Sequence, residues 1–229
     1  MKIEIKGEGA FSSALVEFES GERFLSESGA MFHTTSNVDV DVTTRTRGGG
    51  GILKGIKRML AADSFFLSTY TSTDGAPGKV ALSPTLQGEI KVIELDGSCR
   101  WLCAGGSYLG STEDLELDTQ FQGLKGMFTG ESLFFLEVSG RGSLLVSAFG
   151  RVVEEQCEGE LIVDTGHLVA FEDTLEYSLS KAGGSWRHSF FAGEGIIMKF
   201  RGRGRVLVQS HNPSAFGREL GRLLPPRKK

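Results

Sequence analysis

The chain has 229 residues, with 25 lysines and arginines against 29 aspartates and glutamates and a formal net charge of −4 at neutral pH. This balance lacks the basic footprint that phosphate neutralisation requires, and so argues against a nucleic-acid partner. Glycine reaches 32 residues while proline stays at five, about twice the usual glycine share, as expected for many tight turns between short strands.

In chain order, the opening MKIEIKGEGAF has no apolar run of the signal-peptide kind, and nowhere do 18 apolar residues follow one another. A soluble, cytoplasmic protein is expected. A first strand carries Leu15 and Glu17, a second Phe24 and Leu25, and Gly29 marks a corner. Val38, Asp39 and Val40 then alternate as a half-buried strand does. Next comes GGGG at 48–51 followed by ILKGIKRML. No lysine followed by serine or threonine completes a phosphate-binding loop there, so the stretch reads as a connector. Its apolar positions 52, 56, 59 and 60 fit a short amphipathic helix with a basic face. DSFFLSTY from Asp63 and GKVALSP from Gly78 follow, with TDGAPGK between them read as a hairpin turn.

The same order recurs twice. Val92, Glu94, Trp101–Leu102, Gly106, Leu115–Glu116–Leu117, ESLFFLEV from Glu131 and GSLLVSA from Gly142 make a second copy. Val152, Glu154, Leu161–Ile162, Gly166, Leu175–Glu176–Tyr177, EGIIMKF from Glu194 and GRVLVQS from Gly204 make a third. SGRGS (139–143) and RGRGR (201–205) take the place of the first turn and are read as hairpin turns, not as an RNA-binding box. Three β units, at about 10–84, 88–149 and 150–210, predict one all-β body over 1–210 with pseudo-threefold symmetry. SAFGRELGRLLPPRKK then predicts, within 211–229, a short docked helix (Phe216, Leu220, Leu223, Leu224) and a basic tail.

Within this frame the eye-catching side chains lose weight. His167 stands where the other copies have Ala30 and Ser107, the place of a surface or hydrogen-bonded residue. Glu17, Glu94 and Glu154, or Asp39, Glu116 and Glu176, would form an oxygen-ligand metal site only if they met at the axis. Alternating strands already require polar residues at those places. Cys99, Cys103 and Cys157 form no CxxC pair and read as free thiols of a reducing compartment. No catalytic residue, metal or cofactor is expected.

The connectors resist so plain a reading, because loops are normally polar. Leu53, Ile56, Met59 and Leu60 lie beside Lys57 and Arg58; Met127 and Phe128 beside Lys125; and Trp186, Phe190 and Phe191 beside Arg187. Brought to one end of the body, they would form an apolar, basic-rimmed surface for a membrane or a protein partner.

LDTQFQGLKGMFTGESLFFLEVSG, VDTGHLVAF and AGEGIIMKFRGRGRVLVQS closely resemble a family of uncharacterised bacterial proteins related to a yeast mitochondrial biogenesis factor. That family is grouped with the tryptophan-RNA-binding attenuator-like (TRAP-like) β proteins. The resemblance runs from about Gly29 to Ser210. It implies three TRAP-like repeats of double-stranded β-helix type about a pseudo-threefold axis, and transfers no catalytic residue. The eukaryotic relative's association with the mitochondrial inner membrane favours a non-enzymatic, membrane-peripheral scaffold or adaptor, a homo-oligomer by its free β edges. The other reading is a small-molecule or nucleic-acid binding module of the attenuator type.

Overall fold

A computed structural model describes residues 1–43, 66–121, 134–181 and 196–225. The first part of the chain forms β1 (Lys2–Lys6), β2 (Ser13–Phe18), β3 (Arg23–Glu27), β4 (Met31–Thr34), β5 (Val38–Thr43), β6 (Leu67–Ser72) and β7 (Gly78–Leu82). In β2, Ala14, Val16 and Phe18 are buried while Ser13, Leu15 and Glu17 are only half-buried, the period of two that a sheet with one core face imposes. β7 lies between β2 and β4, and β6 lies between β3 and β5.

The middle part forms β8 (Ile90–Asp96), β9 (Trp101–Ala104), β10 (Tyr108–Thr112), β11 (Leu115–Phe121) and the long β12 (Phe134–Ser147). The second half of β12 lies between β8 and β10, and its first half between β9 and β11. The last part forms β13 (Val152–Asp164), β14 (Leu168–Glu172), β15 (Glu176–Lys181) and β16 (Ile196–Gln209). The second half of β16 lies between the start of β13 and β14, and its first half between the end of β13 and β15. The described residues are mostly antiparallel β and end in a helix, α1 (Pro213–Leu223). Among the described residues, no helix is long and apolar enough to cross a membrane.

The expected hairpins at 73–79, 139–143 and 201–205 do not form. β6 and β7 do not pair with each other, and the other two segments run through the middle of β12 and β16. Each segment carries the chain from one set of partners to another. In β12 the crossing is made by Gly140 at φ 107°, where a Cβ would meet the Asp114 carbonyl at 2.9 Å. The corner glycines serve two ends: Gly29 and Gly106 adopt φ of 90° and 79°, whereas Gly166 admits the close approach of the Asn212 side chain.

One side-chain contact recurs with the pairing. The Lys79 amide donates to Thr35 Oγ1 (3.1 Å), the Ser143 amide to Thr112 Oγ1 (3.1 Å) and the Arg205 amide to Glu172 Oε2 (2.8 Å). Each acceptor satisfies a backbone N–H where the chain has just changed partners, at the start of β7 and in the middle of β12 and β16. The acids differ: Glu17 and Glu94 lie opposite Lys79 and Ser143, but the residue opposite Arg205 is Gln156. Glu154 is therefore two residues out of step with Glu17 and Glu94, because β13 runs straight on where the earlier parts break for a turn.

Two joints tie the parts together. β3 pairs with β10, with Ser26 opposite Gly110, Leu25 opposite Ser111 and Phe24 opposite Thr112. β9 pairs with β14, with Cys103 opposite Ala170, Leu102 opposite Phe171 and Trp101 opposite Glu172. Ion pairs flank both joints, Arg23 with Glu113 at 3.3 Å and Arg100 with Asp173 at 2.7 Å. The core follows the joints. Leu109 and Leu145 pack with Phe18, Phe24 and Tyr70 of the first part; Val169 and Leu207 pack with Trp101, Cys103 and Leu144 of the middle part. A third cluster holds Val163, Phe171, Met198 and Phe200.

Leu109 is 1% exposed, whereas Phe32, which occupies the matching place on β4, is 57% exposed. Leu109→Ala is expected to lower stability by about 2–5 kcal/mol, through lost burial and a cavity, and Phe32→Ala by less than about 0.5 kcal/mol in dilute solution. Urea midpoints of the two variants check the contrast.

Candidate functional site

The connector residues Leu53, Ile56, Lys57, Arg58, Met59, Leu60, Lys125, Met127, Phe128, Trp186, Phe190 and Phe191 all lie outside the described residues. The side chains singled out elsewhere in the sequence do not converge on one site. His167, half-buried in a short turn before β14, shares a 2.8 Å hydrogen bond between its Nδ1 and the Gln209 carbonyl oxygen. Its sequence neighbours face other partners, Glu172 toward Arg205 and Asp173 toward Arg100. Glu17 meets Lys79, Glu94 meets Ser143 and Glu154 meets Lys91, while Asp39, Glu116 and Glu176 are exposed on three separate outer strands. Among the described residues, no group of three His, Cys, Asp or Glu is placed to hold a metal ion.

The most elaborate polar cluster sits at the joint of β9 and β14. Glu172 is buried and takes Arg205 Nε at 2.6 Å as well as the Arg205 amide. The Arg205 guanidinium lies 4.9 Å from the centre of the Trp101 ring, a cation–π stack that shields the ion pair from water. The Cys99 thiol reaches Glu172 Oε1 at 3.9 Å. Burial, and then the Glu172 carboxylate, push that thiol up, the opposite of what a nucleophilic cysteine needs. Cys103 is pushed up to about 12 by burial, and all three cysteines are free. The cluster is built to hold two parts of the chain in register.

A cleft of about 250 Å³ opens where the three parts approach one another, lined by Glu27, Ser107, Ser147, Leu168 and Gln209 among others. Burial raises the Glu27 carboxyl above the ordinary value.

Among the described residues, exposed apolar side chains gather at two places, apart from others such as Phe11 and Val42. The first is α1, where Asn212 caps the Ala215 amide at 3.0 Å and Pro213 begins the first turn, the residue types that start helices. Phe216 packs against Phe149, with ring centres 5.1 Å apart. Beyond that contact the expected docking is not found: α1 has no buried residue, Leu223 is 82% exposed, and Leu220 and Leu224 are exposed too. The second is a pair of strand edges. Among the described residues, β4 has only β7 as a neighbour and β13 only β16. Met31 and Phe32 on β4 and Ile162 on β13 are exposed there. The sequence predicts free β edges but not which strands carry them, and the Glu172–Arg205–Trp101 cluster does not stand out in it. The signal for the edges was nonetheless present, since Phe32 falls in register with Leu109 and Val169.

Residues 3–211 match the family described as mitochondrial biogenesis AIM24. The chain belongs to that family. Among AIM24 relatives it is similar to an uncharacterised protein of Streptococcus pyogenes serotype M6, at 30% identity over 231 residues, covering 98% of this chain and 92% of the relative. It is also similar to the X-ray crystal structure of a Streptococcus pyogenes protein, at 28% identity with a TM-score of 0.80, covering 97% of this chain and 99% of that one.

Glu27 gives the cleft a measurable property. Its folded-state proton affinity is raised by burial, so stability is lost as pH climbs through the unfolded value of about 4.3 toward the higher folded value. Glu27→Gln removes that loss. The variant is expected to melt at a higher temperature than the parent at neutral pH, with the gain vanishing below the ordinary carboxylate range, as thermal denaturation against pH would show.

Proposed function

We propose that the protein is a non-enzymatic scaffold or adaptor, cytoplasmic and membrane-peripheral, built from three TRAP-like repeats of double-stranded β-helix type about a pseudo-threefold axis. In support of the repeats, the same arrangement of neighbours surrounds β7 and β6, the two halves of β12 and the two halves of β16. The shared hydrogen bonds of Thr35, Thr112 and Glu172 add a side-chain signature to that arrangement.

The observation that carries the membrane reading is α1. Phe216, Leu220 and Leu223 fall on one face of α1 at helical spacing and are exposed, as is Leu224 just past its end, with Arg218 and Arg222 on the other side and the sequence PPRKK following Leu224. Such a helix lies in the lipid–water boundary, its leucines among the acyl chains and its cations at anionic headgroups. The connector residues from Leu53 to Phe191 are proposed, on sequence alone, as a second element of the same surface.

The cleft at Glu27 favours a second reading, a small-molecule module with its ligand between repeats. At about 250 Å³ it lies below the usual 300–1,000 Å³ of ligand sites, which places it second. A thermal-shift screen of amino acids and nucleotides would reveal a ligand there.

Flotation with vesicles containing anionic phospholipid tests the first reading. Burying a leucine side chain is worth about 1.5–3 kcal/mol, so Leu223→Glu is expected to cut the vesicle-bound fraction about tenfold or more at an unchanged melting temperature. Binding that is absent in the parent, or unaltered in the variant, contradicts a membrane role for α1.

A further inference from the structure

The two joints inside the chain define a rule that its ends leave unfulfilled. At each joint a strand pairs with one from the next part, β3 with β10 and β9 with β14. The incoming strand inserts one side chain into the core it joins: Leu109 into the first cluster and Val169 into the second. In the same register β4 is the incoming strand of the first part and Phe32 its inserting side chain, while the end of β13, Leu161–Val163, is the receiving edge of the last part. Neither edge has a partner strand among the described residues. Phe32 is 57% exposed against 1% and 0% for Leu109 and Val169. Ile162 is 53% exposed, and the matching Leu102 only 7%.

We propose that β4 of one molecule pairs antiparallel with the end of β13 of a second copy, joining chains head to tail. The register follows from the two internal joints: His33 opposite Val163, Thr34 opposite Ile162 and Thr35 opposite Leu161. The inference rests on the equivalence of the three repeats, which do not close into a threefold ring within one chain because β4 and β13 of that chain do not pair, and it is independent of membrane binding.

The occupant is a second copy because the two edges complement each other, and neither complements itself. One offers an inserting aromatic side chain, the other an apolar edge beside the third core. An edge without proline or lysine is open to strand addition, and Met31–Thr35 carry neither; the register irregularity of β4 at Phe32 is the one that β10 and β14 have at Leu109 and Val169 while pairing with β3 and β9. The joint between molecules differs from the internal ones in one respect. Where those have Arg23 with Glu113 and Arg100 with Asp173, the ends present Glu160, already bound to Arg201, and Ser36. Because the contact joins separate molecules, assembly depends on concentration. Because the contact is heterologous, it produces a closed ring or a filament and not a two-fold dimer.

Facing Cα atoms in an antiparallel pair lie about 4.5–5.5 Å apart, within the span of a disulfide, so engineered cysteines test the pairing. In a Cys99→Ser background, Thr34→Cys and Ile162→Cys are made on separate chains and oxidised mildly, alone and mixed. A covalent dimer containing one of each chain, formed only in the mixture, is expected. The protein with both substitutions in one chain should give a ladder of linked chains. Ile162→Lys, a change at an exposed edge position, should leave the melting temperature of the dilute protein unchanged and convert oligomers to monomers in light scattering. The proposal is overturned by a parent that stays monomeric with no mixed cross-link, by Thr34→Cys chains linking to each other, or by a doubly substituted chain that links only within itself. Chains that cross-link as expected yet do not float with vesicles would retain the pairing and refute the membrane reading; the converse result would do the opposite.

Discussion

The structure depends on one constraint: two of its hydrophobic cores are completed by side chains from a later part of the chain. Leu109 is buried among Phe24, Tyr70 and Leu82, and Val169 among Trp101, Cys103 and Leu144. Both arrive on strands whose backbones also extend the receiving sheet, so hydrophobic burial and backbone pairing are won in the same event. Register at such a joint is strictly specified, because β10 and β14 are buried on both faces and a shift of one residue would send each side chain into the wrong core: Tyr108 and Leu109 enter different clusters, as do Leu168 and Val169. The ion pairs of Arg23 and Arg100 at the margins, partly exposed and worth little in stability, mark the register further.

A rule that looks forward along the chain has a direction, and a chain with a direction has two unlike ends. Its first incoming strand and its last receiving edge have no counterpart within the described part of the molecule. Most proteins protect such edges with charge, proline or a covering loop; here Met31, Phe32 and Ile162 are exposed. With the uncovered apolar side of α1, this gives the protein two surfaces whose chemistry suits association, in keeping with the scaffold we propose. The buried polar side chains fit the same picture. Glu172 and Arg205 close on each other across a joint, and His167 is engaged with a backbone carbonyl.

Much of the architecture was legible in the sequence because period-two alternation marks which side of a strand is buried, and glycines mark the corners. Alternation places Val38–Val40 and Leu115–Leu117 on strands, and the matching distance to a corner glycine places Trp101–Leu102. Pairing partners were not legible, since alternation identifies faces and not neighbours. The segments at 139–143 and 201–205 look like turns for the sake of their glycines, yet those glycines let one strand pass between two sets of partners. Glu154 was aligned with Glu17 and Glu94 because the sequence does not reveal that β13 omits the break present between β2 and β3. The apolar stripe of α1 was visible, but whether it would be covered depends on what packs beside it. Glu27 gave no signal, its carboxylate being one more polar residue at a strand end until three parts of the chain close around it. The residues first favoured as a partner surface, from Leu53 to Phe191, lie outside the described residues, and their role in the surface is a proposal from sequence.

The claim that each core takes its closing strand from the next repeat is tested most directly by hydrogen exchange of three matching strands. In protein dilute enough to be monomeric, the amides of β10 and β14 are expected to be strongly protected and those of β4 to exchange markedly faster, with the protection of β4 rising as concentration increases. Equal protection of all three strands in the monomer, or a β4 whose exchange ignores concentration, would contradict it.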